Sequence, residues 1–142
     1  MLLSPDAEFS FAVDPDARLA LACMGGTLTG PDMTHIVNAV HGDPAWEPSF
    51  DVIWDCSRVD AHVVSPGEET PVLEALSDEH TGRDLIVQGP GLSGDVFATM
   101  LVFRARRLGD AASSHHSVEE AVAALGRDAL PARLRRVRQE VH

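Results

Sequence analysis

A thiol, an imidazole and several carboxylates meet in one short stretch, Asp55-Cys56-Ser57-Arg58-Val59-Asp60-Ala61-His62. Those are the parts of a cysteine nucleophile, its base and the group that orients the base. The triad to weigh is Cys56 with His62 and Asp55 or Asp60. A reactive thiol needs an electropositive, partly exposed setting. Cys56 instead closes the apolar run Phe50–Cys56 beside acids, which raise a thiol's pKa. A cysteine-dependent hydrolase is therefore the weakest reading, and no catalytic residue is assigned. The seven histidines show no His-Glu-x-x-His or comparable ligand spacing. His115 and His116, adjacent on a strand, would point to opposite sides. Neither a metal site nor a cofactor is expected.

Two further stretches carry groups that bind or accept phosphate. Gly89-Pro90-Gly91-Leu92-Ser93-Gly94 precedes a helical segment, where backbone N–H groups can cradle an anion. It lacks the lysine of a Walker loop and the full spacing of a dinucleotide fingerprint, and a tight strand-to-helix turn accounts for it. Ser65-Pro66-Gly67-Glu68 has the spacing of a capping box with proline at the first helical position. Pro71 follows, and a proline inside a helix costs roughly 3 kcal/mol. The regular helix therefore starts at Thr70-Pro71. Ser65 is then either a local cap or an exposed hydroxyl open to phosphorylation. A phosphate is favoured near a helix N-terminus, although Glu68 and Glu69 would oppose it.

The elements that must hold these stretches follow from apolar periodicity and turn residues. Phe9–Val13 alternates as a half-buried strand, and Asp14-Pro15-Asp16-Ala17 turns it into a second strand, Arg18–Met24. Gly25-Gly26 breaks that strand. Thr29 and Asp32 frame the start of a helix over 31–40, which buries Met33, Ile36, Val37 and Val40 and ends at Gly42 before Pro44. Phe50–Cys56 is a central strand, because its apolar residues run nearly unbroken. A helix over 70–80 buries Val72, Leu73 and Leu76, and Asp84–Gln88 is a short strand. Asp95–Leu108 is a helix with little polar face, containing Val96, Phe97, Met100, Leu101 and Phe103. Ser113–His116 is an edge strand, and Ser117 with Glu120 forms a capping box for the helix Val118–Leu125. Pro131–Val141 is amphipathic, with Leu130, Leu134, Val137 and Val141 on one face. That face rests either on its own domain or on a partner.

A chain of 142 residues is one domain, divided here into a body, 1–126, and a basic amphipathic tail, 127–142. All eleven basic residues are arginine, against twenty-two acids. The body carries six arginines against twenty acids, and the tail five against two. So acidic a body repels nucleic acid and anionic lipid, so nucleic-acid binding is disfavoured. No apolar run approaches the length of a membrane span, and Met1–Asp6 lacks the basic and apolar regions of a signal peptide. A cytoplasmic location is expected, with Cys23 and Cys56 as free buried thiols rather than a disulfide.

The order of features resembles the STAS domain, and within it the SpoIIAA-like (STAS/SEC14-like) group of small bacterial proteins. The features are the Gly25-Gly26-Thr27-Leu28-Thr29 turn, Asp43-Pro44-Ala45-Trp46, the strand ending in Asp55-Cys56-Ser57, the Ser65-x-Gly67 start, and Glu119-Glu120-Ala121-Val122. The resemblance covers about residues 8–125. It implies a non-catalytic regulatory module. Anti-sigma-factor antagonists of the family are phosphorylated on a serine directly before a glycine. Pro66 holds that place here, the motif's acid is missing, and Ser65 is the nearest hydroxyl. The SEC14-like name implies a lipid or other apolar ligand, which the apolar Phe97–Phe103 segment would suit.

The expected fold is thus an α/β, STAS-like domain: an N-terminal β-hairpin, then βα units, forming a four- to five-stranded mixed sheet with helices packed against it. In such a sheet the loops leaving the parallel strands gather along one edge. They are Gly25–Thr29, Ser57–Glu69 and Gly89–Gly94, and the binding edge is assigned to Thr27, Thr29, Ser57, Arg58, Ser65, Gly67, Gly91 and Ser93. Its expected occupant is a protein partner, with a homodimer open. The alternative is a small apolar or lipid-like ligand held beneath the Asp95–Leu108 helix.

Overall fold

The computed structural model describes residues 3–109 and 111–140, with the side chains of residues 92–97, 139 and 140 excepted. Val96, Phe97 and Val141, each given an apolar role above, and the side chain of Ser93 lie outside that description.

Strand β1 (Ala7–Asp14) pairs antiparallel with β2 (Leu19–Thr29) across the Asp14–Arg18 turn. Three βα units follow: α1 (Gly30–His41) leads to β3 (Asp51–Val63), α2 (Glu69–Ser77) to β4 (Arg83–Val87), and α3 (Gly91–Arg107) to β5 (Ala111–His115). Two further helices close the chain, α4 (Val118–Ala124) and α5 (Ala132–Glu140). The sheet order is β1-β2-β3-β4-β5, parallel from β2 onward, so β3 is central as its apolar run requires.

Each crossover steps to the next strand in the same direction, and three right-handed steps of one sense stack their helices on one face. The core is divided accordingly. Ala22, Met24, Trp54, Cys56 and Ile86 meet α1 through Met33, Ile36 and Val37, α2 through Val72, Leu73 and Leu76, and α3 through Ala98, Leu101, Val102 and Ala105. On the other face Leu19, Leu21, Ile53, Leu85 and Val87 meet α4 through Val118, Ala121 and Val122, and the tail through Leu130, Leu134 and Val137. Leu134 is fully buried, so the tail's apolar stripe docks on its own domain.

Several element boundaries depart from expectation. Gly25-Gly26 does not break β2, which continues to Thr29. Gly26, at φ +74°, lets the chain before β1 come close: a Cβ there would sit 1.9 Å from the Asp6 carbonyl oxygen, which accepts the Thr27 N–H. Nor is Ser57–Val63 a loop. It extends β3, and Cys23 pairs with Asp55 but Gly25 with Arg58, then Gly26 with Val59 but Thr27 with Ala61. At each step β3 spends one residue more than β2, so two bulges in β3 absorb the polar sequence without ending the ladder. Finally, α3 begins at Gly91 rather than Asp95. Gly89 makes the abrupt turn possible by packing on β3: a Cβ there would lie 3.0 Å and 3.2 Å from the Cys56 and Val59 carbonyl oxygens.

The helix expected over 70–80 also stops short, at Ser77, because Asp78 is extended and His80 is held elsewhere. The start of α1 is built as expected. Thr29 Oγ1 accepts the Asp32 N–H at 3.2 Å, and Asp32 Oδ2 accepts the Thr29 N–H at 2.9 Å. The other Asp32 oxygen accepts from both the backbone N–H and the hydroxyl of Ser4. Burial pushes the Asp32 carboxyl up, but the Thr29 and Ser4 hydrogen bonds outweigh it and hold it below its ordinary value. Thr29→Ala should therefore lower stability by about 1 kcal/mol, read as a shift in the urea midpoint at unchanged slope.

Candidate functional site

The three βα units bring the first turns of α1, α2 and α3 to the end of the sheet where β2, β3 and β4 finish, so the expected edge exists as a place in the fold. Its assigned residues fall into two groups. Thr29 begins α1, and the turn holding Ser65 and Gly67 lies against it: a Cβ on Gly30 would meet the Glu68 Cβ at 2.5 Å. Beside that contact lies a surface hollow of about 400 Å³ between α1 and α2, lined by Pro31, Thr34, His35, Asn38, Glu68 and Pro71. In the second group Ser57 lies at the β3 bulge, on which Gly89 packs, and Gly91 follows two residues later with open space at its Cβ position. Arg58 pairs in register with Gly25 and acts electrostatically on Cys23, which belongs to the face covered by α4 and α5. Thr27 is half-buried within β2.

One of these side chains has other work, and one does not cap the helix beside it. The Thr29 hydroxyl is taken by its cap. Of the two uses open to Ser65, a local cap or an exposed hydroxyl, the structure shows the exposed one, and Ser65 does not cap α2. That position belongs to Glu68, and α2 has no side-chain cap. The reason is the delayed start forced by Pro71: the Ser65 N–H donates to Glu68 Oε1 at 2.7 Å and the Glu68 N–H to the Ser65 carbonyl, closing a separate turn. Ser65 and Gly67 are exposed on it, with Gly67 at φ +88°. The lining residues of the hollow went unassigned, yet Thr34, His35 and Asn38 are the polar face of α1 opposite its buried stripe.

The cysteine triad is not assembled. Asp55 meets Cys23, whose thiol donates to Asp55 Oδ2 at 3.8 Å, whereas Cys56 points into the core under α1, α2 and α3. Burial, and then the Asp55 charge, push both thiols up to about 12. Burial also drives the His62 imidazole down to about 4, so near neutral pH it is uncharged. Among the described residues no three His, Cys, Asp or Glu side chains are grouped to hold a metal ion. Iodoacetamide at pH 7.5 should leave both cysteines unmodified in the folded protein and alkylate both in urea. Fast reaction of Cys56 in the native state would contradict this environment.

Cys56 lines an apolar cavity of about 40 Å³ between the sheet and its three helices, along with Met24, Met33, Trp54, Ile86 and Leu101 among others. At the opposite ends of the strands lies a polar cluster that no single motif announces. Asp84, fully buried at the start of β4, accepts from Trp54 Nε1 at 2.8 Å and faces His80 Nδ1 at 3.0 Å. His80 Nε2 lies 2.7 Å from the Phe50 carbonyl oxygen. Trp46 packs on Phe50 edge-on and stacks on His41 at 4.8 Å. Burial, and then His80 nearby, hold His41 below its ordinary value. This cluster anchors the base of the sheet, at the start of β3 and β4.

Compared with family models, with curated proteins and with solved structures, the chain finds no match in any of the three. Among the described residues, no helix is long and apolar enough to cross a membrane.

Proposed function

We propose that this chain is a non-catalytic, STAS-like regulatory module that binds a protein partner at the edge where β2, β3 and β4 end. In this reading it works in the cytoplasm. The observation that carries it is where the room lies: the core holds too little for a ligand, and the hollow that is large enough is on the surface. Pockets for cofactors and small ligands span roughly 300–1,000 Å³, and the internal cavity is about 40 Å³. The larger hollow is open, lies outside the core between α1 and α2, and adjoins the exposed Ser65–Gly67 turn. A surface of that kind suits a protuberance of another protein better than an enclosed molecule. The resemblance in the arrangement of hairpin, βα units and mixed sheet adds to this. Phosphorylation of Ser65 would set a dianion beside Glu68 and Glu69, so contact rather than a phosphate switch is the favoured use of the turn.

Affinity capture with the intact chain from its source cells should recover a stoichiometric partner. Capture should fail with Ser65→Arg/Asn38→Arg, two exposed positions flanking the hollow. Equal capture by both forms, or none by either, would sink the proposal. The alternative, an apolar or lipid-like ligand, is favoured by the wholly apolar lining of the small cavity, with Met24 and Met33 able to repack around a guest. Native mass spectrometry of the purified protein decides it: a bound small molecule supports the alternative, and a bare chain removes it.

A further inference from the structure

We infer that the outer face of α3 docks an acidic amphipathic helix of the partner protein. This rests on the protein-binding reading above and names the chemistry of the partner. The inner face of α3 is filled by Ala98, Leu101, Val102 and Ala105. Its outer face leaves large apolar side chains in water: Phe103 is 61% exposed, Leu108 57% and Met100 41%. Met100 and Phe103 are three residues apart, one above the other on the same side of the helix. Such a pair gains nothing from exposure, and neighbouring large apolar side chains left in water are the start of a contact surface where they form a contiguous patch.

Charge identifies the occupant. Half of the six arginines in residues 1–126 sit at this one place, Arg104, Arg106 and Arg107, in a body that is otherwise acidic. Arg106 is occupied by the Ala112 carbonyl and Arg104 by Glu69, at the first residue of α2. Arg107 has its guanidinium 5.8 Å from the Phe103 ring centre and, among the described residues, no carboxylate partner. An arginine resting on an exposed aromatic ring is the combination that dominates binding energy at protein interfaces. An acidic helix with its own apolar stripe would cover Met100 and Phe103 while its carboxylates meet Arg107, a helix-on-helix arrangement. The acidic remainder of the surface steers such a partner here and repels it elsewhere.

Other occupants fit less well. A two-fold dimer through this face would set each copy's arginines against the other's. An anionic membrane is broad enough to face the acidic surface around α3 as well, in a chain of formal net charge −11, whereas a single helix need meet only the Arg107 end of α3.

The test is a displayed library of acidic, neutral and basic peptides about four helical turns long, selected on the intact chain and on Phe103→Ser/Arg107→Glu. Both substituted side chains are exposed, and thermal melting of the variant should match the native protein. Native protein should enrich acidic peptides with apolar residues at helical spacing. A synthetic representative should bind with Kd on the order of 10 μM and lose about tenfold or more in the variant. Enriched peptides that are neutral or basic, or that bind the variant equally well, would overturn the α3 assignment and leave the protein-binding reading standing. No enrichment at all would count against both. Self-association in sedimentation, or binding to phosphatidylglycerol vesicles, that the variant abolishes would also overturn it, because the occupant would then be a second copy or a membrane.

Discussion

Asp84→Ala is expected to destabilise the protein by about 3–5 kcal/mol, and Asp84→Asn by only about 1–2 kcal/mol. Asp84 is fully buried and serves two donors at once, the Trp54 indole N–H and the His80 ring. His80 faces an acceptor on each side, the Asp84 carboxylate and the Phe50 carbonyl. A carbonyl accepts only, so the ring nitrogen facing Phe50 donates, and the other ring nitrogen shares a proton with the Asp84 carboxyl. Alanine removes the acceptor and leaves a buried indole N–H and a buried histidine without their partner. Asparagine keeps an oxygen for Trp54 and offers an N–H to His80, which then serves as a neutral ring donating only to Phe50. Urea unfolding at pH 7 separates the two. Equal losses for both variants, or losses below about 1 kcal/mol for alanine, would contradict the arrangement.

The second large effect is a loss of stability in mild acid, beginning well above the carboxylate range. Burial lowers His62 from 6.5 to about 4 in the folded chain. The unfolded chain therefore takes up this proton first as the pH falls below 6.5, which favours unfolding. Stability is complete above about pH 6.5 and declines as the pH drops toward 4, by about 3 kcal/mol for this one group. His41 and His115, also held low chiefly by burial, act in the same direction. Asp32, held below 3.8 by its hydrogen bonds against the opposing effect of burial, keeps its contribution until lower pH. Urea midpoints measured from pH 7.5 to 4.5 should fall steadily below 6.5, and His62→Gln should flatten much of that slope. A flat profile over this interval, or an unchanged slope in His62→Gln, would show that His62 is not buried neutral.

Local chemistry accounts for what could be read ahead of the structure. The Thr29–Asp32 cap, the Val72-Leu73-Leu76 stripe, the central position of β3 and the stripe of the tail each follow from residues close in sequence. The α/β class and the mixed five-stranded sheet follow from the alternation of such segments. The extents of β2 and β3 do not. Gly25-Gly26 reads as a break and Ser57–Glu69 as a loop, and only pairing between strands about thirty residues apart, with bulges taking up the mismatch, keeps Gly25-Gly26 and Ser57–Val63 in the sheet. The edge proposed for binding was legible as a place in the fold, since parallel strands must end together. Its composition was less so. Thr29 is consumed by a cap, Ser65 is displaced from one by Pro71, and the hollow beside them depends on how α1 and α2 lie together. The Trp54–Asp84–His80 cluster was invisible for the same reason: Trp54 and Asp84 are thirty residues apart.

The most direct test of the central claim is site-specific photo-crosslinking in the source cell, with a benzoylphenylalanine in place of Ser65 or, as the control, of Asp16. Both positions are exposed, Ser65 at the proposed edge and Asp16 in the hairpin turn at the other end of the sheet. A protein-binding edge predicts one prominent crosslinked partner from position 65 and none from position 16. The same products from both positions, or no protein crosslinked from position 65, would contradict it.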